Sequence, residues 1–271
     1  MLEVILAAVI NISIMSQPVQ QKNFSFVVIG DTQEQKSIMK KASLDMRSRG
    51  VDFVAHLGDI DYCGPMYKWS ISRKLMALSG LPWYITIGNH ELYKCGMPLV
   101  SWYSKERWSK YWWGDKKTFH VIEHKGKKFV YIDSSTFYYP NGEVERLELV
   151  LKNAKDSSVF LFTHMPLAYD KSNKRIYYGL NKAHWNYYSS MGGTWYSGRN
   201  KLLWHTLKRY KSKLLAVFHG HYHAYRSYDL DGIPVYCCGG GGGALETRRD
   251  FYHYLVVSVV GDRYFVKVIR I

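Results

Sequence analysis

The stretch VDFVAHLGDIDY, residues 51–62, joins a strand-like run to a cluster of acidic side chains. Apolar residues dominate the run, and Gly58 ends it just before Asp59, Asp61 and Tyr62. Carboxylates crowded at the end of a strand repel one another unless a positive group lies between them. The stretch therefore predicts a strand that leads into a cation-binding loop.

The neighbouring segments alternate between strand-like and helix-like patterns. FSFVVIG (24–30) and LPWYITIG (81–88) have the apolar runs of buried strands, and residues 34–50 have the periodicity of an amphipathic helix. Such alternation predicts a layered α/β fold. Further helices are expected at 66–78, 143–154 and 199–210, a strand at 159–162, and hairpins that turn at Lys125-Gly126, Asp231-Gly232 and Gly261-Asp262.

Two segments have no clear periodicity and are read as irregular insertions, residues 92–117 and 166–198. Both are rich in aromatic and polar residues. Long insertions of this kind are either binding loops or packed surface, and the sequence leaves both readings open.

The composition favours anionic partners. The 271-residue chain has a formal net charge of +15. This charge suits a phosphorylated substrate, nucleic acid or an acidic membrane surface, or it is simply solvated. Four cysteines are too few for a disulfide scaffold, and none has the paired spacing of a zinc site.

The amino-terminal residues 1–20 are read as a signal peptide or a buried arm, and residues 21–271 as a single domain. The apolar stretch Val4–Ile14 is too short to span a bilayer as a helix. Its length favours export, although Glu3 replaces the usual basic start. No later segment is long and apolar enough to predict a transmembrane helix.

Polar side chains follow five of the predicted strands. Ligands of open α/β sheets bind at the carboxyl ends of strands, so these side chains are expected to meet. Carboxylate, amide and imidazole donors together suit Mn, Fe, Zn, Ni or Co better than calcium. The five blocks are GDTQ (30–33), GDIDY (58–62), GNHE (88–91), LFTH ending in His164, and HGHYH (219–223).

In this order, the blocks resemble those of the calcineurin-like metallophosphoesterases: D-x-H, GD-x-x, GNH-D/E, a single histidine and GH-x-H. The matching residues are spread over about 190 residues of the chain. The resemblance implies a four-layer α/β/β/α sandwich of two mixed sheets flanked by helices, and a dinuclear metal centre. It assigns Asp31 and His223 to the first metal, Asn89, His164 and His221 to the second, Asp59 to the bridge between them, and His90 to the phosphoryl group as proton donor or charge stabiliser.

Two positions depart from the general pattern. Gln33 replaces the histidine of the first block, and the second block reads GDxxY, as in the purple acid phosphatase branch. In that branch the tyrosine binds ferric iron, so Tyr62 is expected either to bind metal or to pack against the site. The metals implied are iron, manganese or zinc.

Other residues near the blocks are given supporting roles. Asp61 and Glu91 are expected to orient ligands, His219 to lie in the core or behind the ligands, and His205 to serve packing or surface, whereas His184 is a possible substrate contact. The run Gly239–Gly243 could approach the site closely or form a flexible turn.

The function expected from the resemblance is phosphoester hydrolysis by a metal-activated hydroxide. A phosphomonoesterase similar to acid phosphatases is favoured by Tyr62 and the amino-terminal stretch. The alternative is a phosphodiesterase acting on nucleotides or nucleic acid, which the charge suggests without requiring it. A module that binds metal or phosphate without turnover is the third possibility.

Overall fold

The computed structural model describes residues 23–62, 66–92, 105–136, 142–167 and 198–271. The strands in these ranges are β1 Phe24–Ile29, β2 Val54–His56, β3 Trp83–Ile85, β4 His120–His124, β5 Lys127–Tyr131, β6 Val159–Thr163, β7 Leu214–His219, β8 Tyr225–Leu230, β9 Ile233–Cys238, β10 His253–Val260 and β11 Arg263–Arg270. The helices are α1 Lys36–Met46, α2 Met66–Ala77, α3 Lys105–Trp112, α4 Glu143–Lys152 and α5 Gly198–Arg209, and a short 3₁₀ helix spans Lys211–Lys213.

The first sheet has the strand order β11-β10-β1-β2-β3. Strands β1, β2 and β3 are parallel, with Ile29, His56 and Ile85 in register at their carboxyl ends. Strand β10 returns from the end of the chain and pairs antiparallel with β1. The first three ligand blocks therefore follow neighbouring strands at one edge of the sheet.

The second sheet has the strand order β4-β5-β6-β7-β9-β8. Strands β5, β6, β7 and β9 are parallel, and Thr163 of β6 is in register with His219 of β7. Hairpins at both edges turn at the predicted dipeptides, where Lys125 and Asp231 have φ angles of 46° and 52°. His164 and the HGHYH block thus leave adjacent strands on the same side.

The two sheets face each other across an aromatic core. The Phe26 ring of the first sheet lies 5.2 Å from both Phe129 and Phe160 of the second, edge to face with each. Helix α1 buries Ala42 and Met46 against the outer face of the first sheet. Helices α4 and α5 cover the outer face of the second sheet through Leu147, Leu151, Leu203 and Leu207. The predicted four-layer α/β/β/α sandwich is confirmed.

The prediction of an irregular segment at 92–117 is wrong in part. Residues Lys105–Trp112 form helix α3, which buries only Trp108 and Ser109. Such a short helix with one large buried side chain gives too weak a periodic signal to detect. Strands β2 and β3 are also shorter than predicted at both ends, and after His56 and Ile85 the chain leads into the loops of the site.

Several predictions lie outside the described residues. These are the amino-terminal stretch 1–20, His184 and nearly all of the insertion 166–198. Among the residues that the structure does describe, none of the helices has the length and apolarity needed to cross a membrane.

Candidate metal centre

Three of the candidate ligands have a left-handed backbone. Asp31, Asp59 and His221 have φ angles of 57°, 54° and 69°. Residues other than glycine rarely adopt this conformation, and it costs about 1–3 kcal/mol where it occurs. The surrounding fold compensates for this cost, and the sharp turns direct each side chain back over the end of its strand.

The glycines that precede the ligands allow this close packing. A Cβ atom on Gly88 would lie 2.2 Å from Asp59 Oδ1, and one on Gly220 would lie 2.5 Å from Asp31 Oδ2. No side chain fits at these distances. The glycines of GNHE and HGHYH are therefore explained by close contact with the two carboxylates.

One group of donors surrounds Asp59. His164 Nε2 lies 3.3 Å from Asp59 Oδ2 and 2.8 Å from Asn89 Oδ1, and His221 Nδ1 lies 3.1 Å from the same amide oxygen. Ligand atoms of Asp59, His164 and His221 all lie within 4.8 Å of one another. One cation could contact all of them.

A second group lies beside Asp31. His223 Nε2 is 3.5 Å from Asp31 Oδ1 and 3.0 Å from Gln33 Nε2. The backbone N–H of His221 also donates to the Asp31 carboxylate, at 3.1 and 3.0 Å from its two oxygens. The carbonyl oxygen of the Gln33 side chain is buried and has no hydrogen-bond partner within the described part of the chain. This group could hold a second cation.

The hydrogen bonds of two imidazoles fit a cation between the donors. His164 Nδ1 donates to the Leu57 carbonyl at 2.8 Å, and His223 Nδ1 donates to the Ala244 carbonyl at 2.7 Å. The Nε2 atom of each ring then directs a lone pair at a carboxylate oxygen, which is repulsive unless Nε2 carries a proton or binds a metal. Burial opposes a charged imidazole, but Asp59 and Asp31 outweigh it and raise the pKa of both His164 and His223 to about 9. Both positions thus favour positive charge.

The two carboxylates differ in their surroundings. Burial raises the pKa of Asp31, against the opposing effect of the His223 hydrogen bond and the His164 charge. Burial acts the same way on Asp59, but the charges of His164 and His90 outweigh it and hold the pKa of Asp59 below its ordinary value. Asp59 is therefore the carboxylate best kept ionised for binding metal.

His90 lies at the open side of the Asp59 group. Its Nδ1 donates to the Tyr62 carbonyl at 2.6 Å, which leaves Nε2 facing Asp59 Oδ2 at 3.9 Å. The Tyr62 ring stacks on the imidazole at 4.8 Å between centroids and is 49% exposed. Tyr62 thus contacts the site through His90, and its role as a metal ligand stays a prediction.

Glu91 joins two loops of the site. Its Oε2 accepts the backbone N–H groups of Asp59 at 3.0 Å and Gly88 at 2.6 Å, and its Oε1 accepts that of Ile60 at 2.6 Å. Burial and the charge of Asp59 raise the pKa of Glu91, while the backbone N–H groups of Ile60 and Asp59 lower it and favour the ionised carboxylate. The carboxylate therefore fixes the backbone around Asp59 without facing the metal donors.

Glu91→Gln is expected to weaken metal binding. The amide would turn its NH₂ group toward a backbone N–H, which leaves a buried donor unpaired at a cost of about 1–3 kcal/mol. Because residues that orient ligands usually matter by about 10–100-fold, metal affinity measured by titration should fall by about that factor. The matched variant Glu145→Gln changes an exposed glutamate of α4. Equal affinity in both variants would contradict the proposed role of Glu91.

The run Gly239–Gly243 packs tightly against the site. A Cβ atom would lie 2.0 Å from the Tyr222 carbonyl oxygen at Gly239, and 2.5 Å from His223 Cε1 at Gly243. All five glycines are buried. Of the two readings open from the sequence, close approach is the one that the structure supports.

Other predicted roles can also be placed. The Asp61 carboxylate pairs with Lys36 at 2.6 Å and accepts from the Ser72 hydroxyl at 3.0 Å, so it ties its loop to α1 and α2. His219 is buried and bonds to the Tyr228 hydroxyl at 3.0 Å, while His205 is exposed on α5.

One supporting residue had no recognised signal in the sequence. The Ser134 hydroxyl follows β5 and accepts the backbone N–H groups of His164 at 3.2 Å and Met165 at 2.9 Å. It thereby fixes the turn that carries His164. Its place after a strand at the same edge is the one signal that could have indicated it.

The family model described as calcineurin-like phosphoesterase matches residues 24–225. The matched range includes all the described candidate ligands. No curated protein sequence matches the chain at a significant level.

Solved structures share the fold at low sequence identity. The purple acid phosphatase PPD1 from yellow lupin seeds superimposes with a TM-score of 0.66 at 16% identity, over 94% of this chain and 52% of that one. The chain thus spans about half the length of the lupin protein. TT1561 of Thermus thermophilus gives a TM-score of 0.53 at 10% identity, over 91% of this chain and 99% of that one. GAP50, the anchor in the inner membrane complex of Plasmodium, gives a TM-score of 0.51 at 15% identity, over 92% of this chain and 84% of that one.

Proposed function

The chain belongs to the calcineurin-like phosphoesterase family, whose chemistry is metal-dependent hydrolysis of phosphoesters, and we propose that it is a phosphomonoesterase with a dinuclear metal centre. The observation that supports this most is the meeting of Asp59, Asn89, His164 and His221 beside His90. Carboxylate, amide oxygen and imidazole are donors that Fe, Mn and Zn accept.

Each of the two donor groups would hold one metal ion. Asn89, His164 and His221 would hold one ion, and Asp31 and His223 the other, with Asp59 shared. Gln33 and Tyr62 would be further donors to the ion held by Asp31 and His223. When bound, the two ions would lower the pKa of a shared water and neutralise charge on the phosphoryl oxygens.

The chain's own residues would orient the phosphoryl group and handle the proton. His90 is held by the Tyr62 carbonyl so that Nε2 faces the space beside Asp59. A proton on Nε2 could pass to the leaving oxygen as the ester bond breaks, or stay and stabilise the charge. Glu91 and Ser134 keep the loops of Asp59 and His164 in place by accepting backbone N–H groups.

The experiment that tests this function compares p-nitrophenyl phosphate with bis(p-nitrophenyl) phosphate. We expect kcat/KM to be higher for the monoester by about tenfold or more, because a dianionic phosphoryl group gains more from two cations than a monoanionic one. The opposite preference would favour a phosphodiesterase, the function that the net charge of +15 suggests. Hydrolysis of neither ester by metal-loaded protein would indicate a binding module.

A further inference from the structure

A turn of residues 244–250 borders the candidate metal centre beside His223. The backbone N–H of His223 donates to Glu246 Oε1 at 3.3 Å, and the backbone N–H of Glu246 donates to the His223 carbonyl at 3.4 Å. The His223 imidazole also donates to the Ala244 carbonyl. The turn is therefore fixed directly to a residue of the site.

The far end of the turn is held as firmly. Asp250 Oδ2 accepts the backbone N–H of Thr247 at 2.9 Å and its hydroxyl at 2.7 Å, and Asp250 Oδ1 accepts from Arg226 at 2.7 Å. Both acidic residues of the turn, Glu246 and Asp250, are thus engaged in anchoring it.

The two arginines between these anchors face solvent. Arg248 and Arg249 are exposed, and within the described ranges neither forms an ion pair. Arg248 follows Glu246 by two residues, so its Cα lies within about 7 Å of the Cα of Glu246. The His223 side chain is itself 16% exposed, so the site is open to solvent near the turn. A molecule bound at the metals could reach the arginines.

We propose that Arg248 and Arg249 form an anion subsite that binds a second anionic group of the substrate, on the leaving-group side of the phosphoester. This inference rests on the proposed function, since it places the phosphoryl group at the metal donors. The guanidinium fork matches carboxylate and phosphate oxygens in pairs. Because the turn is already ordered by its anchors, binding would not require the backbone to become ordered. The substrate class is therefore a phosphomonoester with a further acidic group.

The test measures binding of phosphonates, which need no turnover. Phenylphosphonate carries one anionic group, 4-phosphonobenzoate adds a carboxylate, and benzene-1,4-diphosphonate adds a phosphonate. In metal-loaded wild-type protein, calorimetry should show the two ligands with a second anionic group binding about tenfold tighter than phenylphosphonate, as charge-assisted hydrogen bonds are worth that much or more. A larger gain in affinity for 4-phosphonobenzoate would indicate a carboxylate subsite, and a larger gain for benzene-1,4-diphosphonate a phosphoryl subsite.

Substitutions then assign the gain to the turn. The double variant Arg248→Gln/Arg249→Gln should lose the tenfold gain and keep the affinity for phenylphosphonate. The control Arg263→Gln removes a positive charge at the start of β11. Arg263 pairs with Val260, which lies at the opposite end of β10 from His253. The control should behave as wild type. Equal wild-type affinities, or equal losses for all three ligands in the double variant, would overturn the subsite. The outcome with the two p-nitrophenyl esters is independent, so failure of the proposed hydrolysis would be seen separately.

Discussion

Asp59→Asn is expected to remove the ligand that the two metal ions share, so that at least one ion is lost and hydrolysis is abolished. The asparagine keeps the size of the side chain. Its side-chain oxygen can still accept the backbone N–H of His90, which donates to Asp59 Oδ1 at 2.9 Å. The substitution removes the one charge that lies next to both His164 and His90. Metal content should fall from about two ions per chain to one or none, because a neutral amide is a poor bridge between two cations. Elemental analysis and p-nitrophenyl phosphate turnover measure the two losses.

A control separates this effect from a general loss of charge. Asp52 lies before β2 and pairs with His124 and Lys125. Asp52→Asn should leave metal content and turnover unchanged. If Asp59→Asn kept its full metal content, Asp59 could not be the bridge.

His90→Ala is expected to lower turnover while leaving the metals in place. In the wild type, His90 Nδ1 donates to the Tyr62 carbonyl, and His90 Nε2 faces Asp59 Oδ2. Loss of a positioned proton donor costs about 10²–10⁴-fold in rate. We therefore expect kcat to fall by that factor, with unchanged metal content by elemental analysis.

The leaving group tests how His90 acts. The acidic p-nitrophenol needs little help from a proton donor, whereas phenol needs more. If His90 donates a proton, the loss in His90→Ala should be larger for phenyl phosphate than for p-nitrophenyl phosphate. Equal losses would assign it to charge stabilisation instead. His205→Ala, which removes an exposed imidazole on α5, should change neither rate. Loss of metal from His90→Ala would contradict the role proposed for this residue.

The alternation of strands and helices was sufficient to predict a layered α/β fold and the meeting of the ligand blocks, whereas the four layers were implied by the family resemblance. Each block follows an apolar strand, and parallel strands bring their carboxyl ends to one edge, so the placement of Asp31, Asp59 and Asn89 follows from local pattern. Likewise, the hairpin at Lys125-Gly126 was predicted from a glycine-containing dipeptide between two strand-like runs, and both residues have the positive φ angles that such a turn requires.

The features that escaped prediction depend on contacts between distant parts of the chain. Helix α3 buries a single large side chain, Trp108, so its pattern is weak. The run Gly239–Gly243 allows both a close approach to the site and a flexible turn until its contacts with Tyr222 and His223 are known. Arg248 and Arg249 look like ordinary surface charge in the sequence, and only the bonds between Glu246 and His223 place them beside the site.

The number of metal ions per chain is the most direct test of the dinuclear centre. Elemental analysis of the protein as isolated, and again after metal removal and titration with Fe, Mn or Zn, gives this number. We expect about two ions per folded chain, with the second lost on Asp59→Asn. Saturation at one ion or none, with esters still hydrolysed, would contradict the paired cations proposed here.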